Sequence, residues 1–309
     1  MGAYLDDWLG DGWTATPLRG DASTRSYYRV ASDRRSWIVA FYPESIREQL
    51  RSFVNAFEAV RETGSVPEVV SHCDSAIGQF DAGDHTLSSI IRNDEAKGRE
   101  LYLKAIEAIV RFQMAGEDAG RLNPAFDREK FSTELLLTSE YYFRKLSGLT
   151  DPALHRRLED GFEKLIESLV RHPYVLCHRD YHGENIHVHD DRLYIIDYQD
   201  LRMGPDSYDL GSLLRDRGIV EVLGRDFEQK AIDRYIELRD LNAAFRVRYH
   251  EALLQRTIKT IGTFAMQAIN RNRRHYLDYI PAALRTIREC AAEVSEYEPL
   301  AELFPMADD

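Results

Sequence analysis

The part of the sequence best suited to chemistry is a short polar segment, residues 178–185, which reads HRDYHGEN. Asp180 in this segment can accept the proton of an attacking hydroxyl, and Asn185 follows it on the same loop. Asp197 then ends the next apolar run. Phosphoryl transfer needs a proton acceptor together with Mg²⁺ held against phosphate oxygens, and Mg²⁺ prefers hard oxygen ligands. The spacing H-R-D-x-x-x-x-N, followed by this aspartate, therefore predicts metal-assisted phosphoryl transfer.

A single Asp or Asn in a loop most often forms a turn or a helix cap. The combination is more informative than its members because strand-like VLCH precedes the segment and strand-like LYIID ends with Asp197. Such a frame favours two loops that meet at one site.

The elements that must position these loops begin with a sheet-rich part. Residues 27–43 are two β-rich runs around a polar turn, which predicts a hairpin. Apolar residues recur at spacings of three and four over 45–63, which predicts an amphipathic helix. Short strands are predicted at 67–70 and 76–80, ahead of turn residues.

The remainder is predicted to be mainly helical. Amphipathic helices are expected near residues 95–115, 127–146, 152–172, 226–239, 241–270 and 276–296. Residues 173–200 differ, since short apolar runs flank polar turns and predict a loop between small strands. The predicted fold class is α+β, with a small sheet-rich N-lobe over residues 1–85 and a larger helical C-lobe over 86–309.

Composition limits the classes of partner. A net charge of −12 disfavours an extended nucleic-acid interface. No apolar run is long enough to span a membrane, and the first residues lack the basic and apolar segments of a signal peptide. Three scattered cysteines indicate a reducing compartment. We therefore expect a cytoplasmic protein, monomeric, that acts on small molecules and has no nucleic-acid or membrane partner.

The segments HRDYHGENI and IIDYQD resemble the catalytic and metal-binding motifs of the aminoglycoside phosphotransferase and choline kinase superfamily. That superfamily shares the bilobal protein-kinase-like fold. The resemblance implies that Asp180 is the catalytic base, that Asn185 and Asp197 bind Mg²⁺, and that ATP is the donor. It also implies structural roles for His178, which anchors the loop, and for Asp209 in GPDSYDL, which ties the loop to the following helix.

A closer resemblance, over nearly the whole chain, is to bacterial kinases of the cell-wall amino sugars N-acetylmuramate and N-acetylglucosamine, which act at the anomeric hydroxyl. It is carried by GDASTRSYYRV, HRDYHGENI, IDYQDLRMGPDSYDLGSLLRD and LQRTIKTIGTFA with the later YLDYIP. It implies transfer of the γ-phosphoryl group of ATP to a sugar hydroxyl in cell-wall sugar recycling. Two alternatives stay open: another phosphotransferase of the superfamily, acting on an aminoglycoside or a different metabolite, and a non-catalytic nucleotide-binding pseudokinase.

Two features of a protein-kinase-like N-lobe are missing from the sequence. The run WIVAFY, residues 37–42, has no lysine where the third strand normally offers one, and no G-x-G-x-x-G loop occurs. Instead, Ser23, Thr24 and Arg25 in the turn GDASTR are predicted to bind the nucleotide phosphates. The missing positive charge could come from Arg25 or Arg29.

The acceptor site is predicted from residues next to the catalytic groups. Arg179, Gln199, Asp200 and Arg202 are expected to contact the acceptor, together with Asp180. Muramate carries a carboxylate, whereas aminoglycosides carry several ammonium groups. The two arginines therefore favour an anionic or neutral sugar.

Overall fold

The structure is a computed structural model that describes residues 2–18, 25–33, 35–115 and 120–305. Its N-terminal part is built on a five-stranded antiparallel sheet with the spatial order β1-β2-β3-β5-β4. The strands are β1 (Thr14–Leu18), β2 (Ser26–Ser32), β3 (Arg35–Phe41), β4 (Val69–His72) and β5 (Ala76–Phe80). The predicted hairpin and the two predicted short strands are confirmed.

Two helices cover the sheet from opposite faces. Val39 packs in a small cluster with Leu5 of α1 (Gly2–Leu9), whereas the next residue of β3, Ala40, belongs to the main core with Phe53 of α2 (Arg47–Val60). Successive side chains of a strand point to opposite faces, so each face of β3 meets one helix. The sequence patterns did not predict α1 or β1.

The rest of the described chain is mainly helical. Its α-helices are α3 (Leu87–Asn93), α4 (Glu95–Gln113), α5 (Arg128–Leu137), α6 (Pro152–Leu169), α7 (Tyr208–Arg215), α8 (Ile219–Leu223), α9 (Arg225–Leu238), α10 (Phe245–Asn270), α11 (Ile280–Glu293) and α12 (Glu298–Ala301). Short 3₁₀ helices occur at Glu44–Ile46, Arg61–Thr63, Gly183–Asn185, Asp216–Gly218, Arg274–Tyr279 and Ser295–Tyr297. The long predicted helices are present, and α3, α8 and α12 were missed because each is too short to show a periodic pattern.

The helix predicted over residues 127–146 is α-helical only as far as Leu137. It continues as a π-helix, Thr138–Leu146, packed against α10. The Thr138 hydroxyl donates to the Ile258 carbonyl at 2.6 Å. A Cβ atom on Gly262 would lie 2.6 Å from the Thr138 nitrogen, so only glycine permits this approach.

Two small antiparallel pairs of strands frame the polar segments. Strand β6 (Tyr174–Cys177) pairs with β9 (Arg202–Pro205), and β7 (Ile186–His189) pairs with β8 (Arg192–Ile195). Because Cys177 pairs with Arg202 and Ile186 pairs with Ile195, the loops 178–185 and 196–201 lie side by side. This confirms the prediction of a loop between small strands over residues 173–200.

The last strand of the sheet ends at Phe80 and α3 begins at Leu87. A division of the chain into residues 1–85 and 86–309 stays a prediction. Within the described ranges, the helices are all too short or too polar to cross a membrane.

The contact between the π-helix and α10 can be tested with two glycine substitutions in helices. We expect Gly262→Ala to lower the free energy of unfolding by about 1–3 kcal/mol, since the added methyl group overlaps the Thr138 backbone. Gly211→Ala in α7 is the matched control, because its Cβ would meet Leu253 at an ordinary 3.6 Å. The control should gain up to about 1 kcal/mol from helix propensity. Urea titrations giving equal stabilities for the two variants would contradict the proposed close packing.

Candidate active site

The loop between β6 and β7 is held by one buried carboxylate. Asp209, in the first turn of α7, is fully buried and accepts hydrogen bonds from the backbone N–H groups of His178 at 2.7 Å and Arg179 at 2.8 Å. Burial raises the pKa of Asp209, although the two N–H donors favour its ionised form. The His178 ring Nε2 lies 2.9 Å from the Ile196 carbonyl and so joins this loop to the next one.

Two residues of these loops have strained backbones. Arg179 has a φ of 78° and Asp197 a φ of 64°, both in the left-handed region that non-glycine residues rarely adopt. Such conformations persist only where the surroundings fix them, and they concentrate at functional sites. One precedes Asp180 directly and the other is itself a predicted metal ligand.

Asn185 and Asp197 line a cavity of about 340 Å³ that is also lined by residues of the sheet. The Asn185 amide Nδ2 donates to the Asp180 carbonyl at 2.9 Å, and no described residue donates to its Oδ1. Asp197 is exposed, and one of its oxygens accepts from Gln199 at 2.9 Å.

This oxygen pair fits Mg²⁺. In the described part of the chain, no group of three or more His, Cys, Asp or Glu side chains is arranged to hold a metal ion. Mg²⁺ does not require such a cage, because it is usually bound by one or two protein ligands and completes its octahedron with phosphate oxygens and water.

The lining of this first cavity is otherwise partly apolar and partly charged. Ile38 and Ala40 of β3 line it at the place where the sequence lacks a lysine. Other lining residues include Leu18, Arg25, Tyr27, Arg29, Tyr42, Phe53, Phe80, Asp81, Tyr198 and Gln199. A flat apolar group would suit the apolar part of this lining.

Asp180 lines a second cavity, of about 160 Å³, which shares no lining residue with the first. One face of α10 supplies most of its wall, through Arg256, Lys259, Thr260, Thr263, Phe264 and Gln267. The remaining lining residues are His182, Asp216 and Tyr276.

The charges around Asp180 keep its carboxylate ionised. Burial would raise the pKa of Asp180, but the positive charges of Lys259, Arg256 and Arg179 outweigh it and lower the pKa below its usual value. The Arg256 guanidinium lies 4.0 Å from the Asp180 carboxylate and donates to the Arg179 carbonyl at 2.9 Å. At neutral pH Asp180 is therefore ready to accept a hydrogen bond from a hydroxyl.

The family model described as "Phosphotransferase enzyme family" matches residues 14–257. The chain belongs to this family. Residues 178–185 and Asp197 lie inside the matched range.

Two curated relatives of this phosphotransferase carry the same name, N-acetylmuramate/N-acetylglucosamine kinase. The one from Pseudomonas putida is 29% identical over 97% of the chain and 93% of the relative. The one from Neisseria meningitidis serogroup B is 28% identical over 92% of the chain and 87% of the relative.

Solved structures confirm the predicted protein-kinase-like fold. A choline/ethanolamine kinase family protein from Mesorhizobium loti superimposes with a TM-score of 0.63 at 18% identity, over 98% of this chain and 96% of that one. The aminoglycoside phosphotransferase APH(2'')-Ib, bound to ADP, gives 0.61 at 15% identity, over 94% and 97% of the two chains. At these identities the likeness concerns the fold alone.

In this phosphotransferase, the two arginines that could replace the missing lysine have different neighbours. Arg29 is occupied, since its guanidinium binds Asp81 at 2.7 Å and Asp84 at 2.8 Å. Arg25 lies over the rings of Tyr27 and Tyr42, at 5.5 and 5.6 Å from their centroids. Arg25 also donates to the Tyr42 hydroxyl at 3.3 Å, and both arginines line the first cavity. The replacement of the missing lysine by either arginine stays a prediction. Ser23 and Thr24 lie outside the described residues.

The residues predicted to contact the acceptor are not gathered around the second cavity. Gln199 lines the first cavity, and Asp200 is exposed. Arg179 and Arg202 both lie over the ring of Phe126, at 5.9 and 5.7 Å. Of that predicted group, Asp180 alone lines the second cavity in the described structure. The acceptor roles of the other four residues stay predictions.

Sequence reasoning missed Arg256, Lys259 and Asp216. The first two lie three residues apart, so they share one helix face. They stand within LQRTIKTIGTFA, one of the segments that resemble the amino-sugar kinases. The spacing of these two cations within one predicted helix was the available signal for a charged surface on that helix.

The anchoring of the loop can be tested at Asp209. In Asp209→Asn, one of the two loop N–H groups would face an amide NH₂ in place of an oxygen. We expect the free energy of unfolding to fall by about 1–3 kcal/mol, with a lower rate of phosphoryl transfer, because a buried donor loses its acceptor. Asp226→Asn is the matched control, an exposed aspartate in the first turn of α9. If both variants unfolded at the same urea concentration, Asp209 would not hold the loop.

Proposed function

We propose that this phosphotransferase transfers the γ-phosphoryl group of ATP, with Mg²⁺, to a hydroxyl of an amino sugar. The preferred acceptor is the anomeric hydroxyl of N-acetylmuramate or N-acetylglucosamine, the sugars in the names of the curated relatives. One observation carries the proposal. A single short loop gives Asp180 to one cavity and Asn185 to the other, so a phosphoryl group held in the first lies close to a hydroxyl held in the second.

The first cavity is assigned to the nucleotide. Its apolar lining by Ile38, Ala40 and Phe53 suits a purine ring, and residues 81–83 lie along the same wall. Arg25 would meet the phosphates, next to the predicted contacts Ser23 and Thr24. The ADP bound to a relative of the same fold supports this assignment.

Asn185 and Asp197 would hold Mg²⁺ at the mouth of this cavity. When bound, Mg²⁺ supplies neutralisation of the phosphate charge as the phosphoryl group leaves. The strained backbone of Asp197 and the hydrogen bond from Asn185 to the Asp180 carbonyl fix both oxygens before the ligand arrives. Such preorganisation reduces what reorganisation would cost during the reaction.

Asp180 would accept the hydrogen bond of the acceptor hydroxyl and aim its oxygen at phosphorus. Its lowered pKa makes it a weak base, so proton transfer to Asp180 follows the formation of the new O–P bond. An anomeric hydroxyl suits such a base, because it is more acidic than other sugar hydroxyls.

The second cavity disfavours an aminoglycoside acceptor. Arg256 and Lys259 bring two positive charges to its wall, and several ammonium groups in the ligand would be repelled. The intact set of Asp180, Asn185 and Asp197 speaks for a catalytic protein over a pseudokinase.

The proposed activity is tested by Mg²⁺-dependent release of ADP from ATP with N-acetylmuramate, N-acetylglucosamine, other hexoses, choline and kanamycin. We expect an N-acetyl amino sugar to stimulate release. Asp180→Asn should lower kcat roughly 10²- to 10⁴-fold. Its nucleotide affinity should persist, since Asp180 does not line the first cavity. Asp240→Asn, an exposed aspartate at a helix end, is the control. Stimulation by kanamycin alone would favour the aminoglycoside alternative, and nucleotide binding without any turnover would favour the pseudokinase.

The role of Arg25 is tested separately. Arg25→Met should raise the KM for ATP roughly tenfold or more, because a charge-assisted contact with the phosphates contributes about 1.5–3 kcal/mol. Arg35→Met, which removes an exposed arginine at the start of β3, should leave this KM unchanged. Initial rates over a range of ATP concentrations measure both. An equal KM in Arg25→Met and the wild type would remove Arg25 from the nucleotide site.

A further inference from the structure

Lys259 is a cation in the wall of the second cavity that has no side-chain partner among the described residues. It is partly buried, and among the described residues no carboxylate lies within 4.0 Å of its ammonium group and no hydrogen bond reaches it. Burial lowers the pKa of Lys259, while the more distant charges of Glu134 and Asp180 oppose that effect. Because a desolvated charge is unfavourable until it is paired, a ligand anion would satisfy it.

The neighbouring cation is already occupied. Arg256 donates to the Arg179 carbonyl at 2.9 Å, and its guanidinium lies 3.6 Å from the Asp216 carboxylate. These contacts fix Arg256 beneath the catalytic loop. Lys259, one helical turn further on, is the cation that can turn to an incoming ligand.

The remaining wall of the second cavity suits a sugar with an amide group. The rings of Phe264 and Tyr276 pack at 5.5 Å and offer an apolar surface to a sugar ring. The Gln267 side-chain oxygen is buried and has no hydrogen-bond donor in the described structure, so it can accept an N–H. The hydroxyls of Thr260 and Thr263 donate to carbonyls of their own helix.

We propose that Lys259 binds a carboxylate of the acceptor and thereby selects an acidic amino sugar over its neutral analogue. The inference rests on the proposed function, which assigns the second cavity to the acceptor. N-acetylmuramate differs from N-acetylglucosamine by a lactyl ether that carries the carboxylate. Asp180, the apolar rings and Gln267 would serve both sugars alike, so Lys259 is the group that distinguishes them.

The test compares kcat/KM for the two sugars in the wild type and in Lys259→Met, which keeps most of the length of the side chain and removes its charge. We expect the ratio of N-acetylmuramate to N-acetylglucosamine to fall roughly 10- to 100-fold, as for the loss of one charge-assisted hydrogen bond. Lys259→Arg should restore most of the ratio. Lys230→Met, an exposed lysine on α9, should leave it unchanged.

An equal fall for both sugars in Lys259→Met would overturn the inference and place Lys259 at the transferred phosphoryl group. Unchanged kcat/KM values for both sugars would also overturn it. Turnover of N-acetylglucosamine by the variant shows that the protein is folded. Failure of the proposed function can be told apart from failure of the Lys259 inference, because the wild type itself would then turn over neither sugar. If calorimetry then also showed no preference for binding N-acetylmuramate, the role of Lys259 would fail with it.

Discussion

The geometry of the active site depends on one buried carboxylate that accepts two backbone N–H groups. An unpartnered acid in the core would be unfavourable, so Asp209 and the first residues of the catalytic loop must stay together. The paired hydrogen bonds fix Arg179 in its left-handed conformation and thus the direction in which Asp180 leaves the loop. The ring of His178 lies at hydrogen-bond distance from the Ile196 carbonyl, so the position of the loop that carries Asp197 also depends on Asp209.

The local charge of the site differs from the charge of the whole protein. The chain carries a net charge of −12, whereas Arg179, Arg256 and Lys259 surround Asp180. Net charge describes the surface field, and a pocket is governed by its nearest groups. An acidic protein can therefore present a cationic pocket to a small anionic ligand.

Features set by local sequence were predictable, and those set by distant contacts were not. The hairpin of β2 and β3, the long helices and the catalytic motif each follow from spacing within a short window. The sequence could not show that Arg29 is held by an ion pair, because its partner Asp81 lies 52 residues away. The π-helix after Leu137 depends on its close contact with Gly262 of another helix. The wall of the second cavity was not predicted for the same reason, since only folding brings Lys259 and Asp180 to one cavity.

Most of the wall of the second cavity lies on one face of α10, while the first cavity is built from the sheet and the two loops. Side chains on a rigid helix can be exchanged without moving the strands that hold the nucleotide site. Under the proposed assignment of the two cavities, acceptor choice and phosphoryl donation are separable traits. On that assignment, substitutions on one face of α10 would change the acceptor contacts and leave the residues of the first cavity in place.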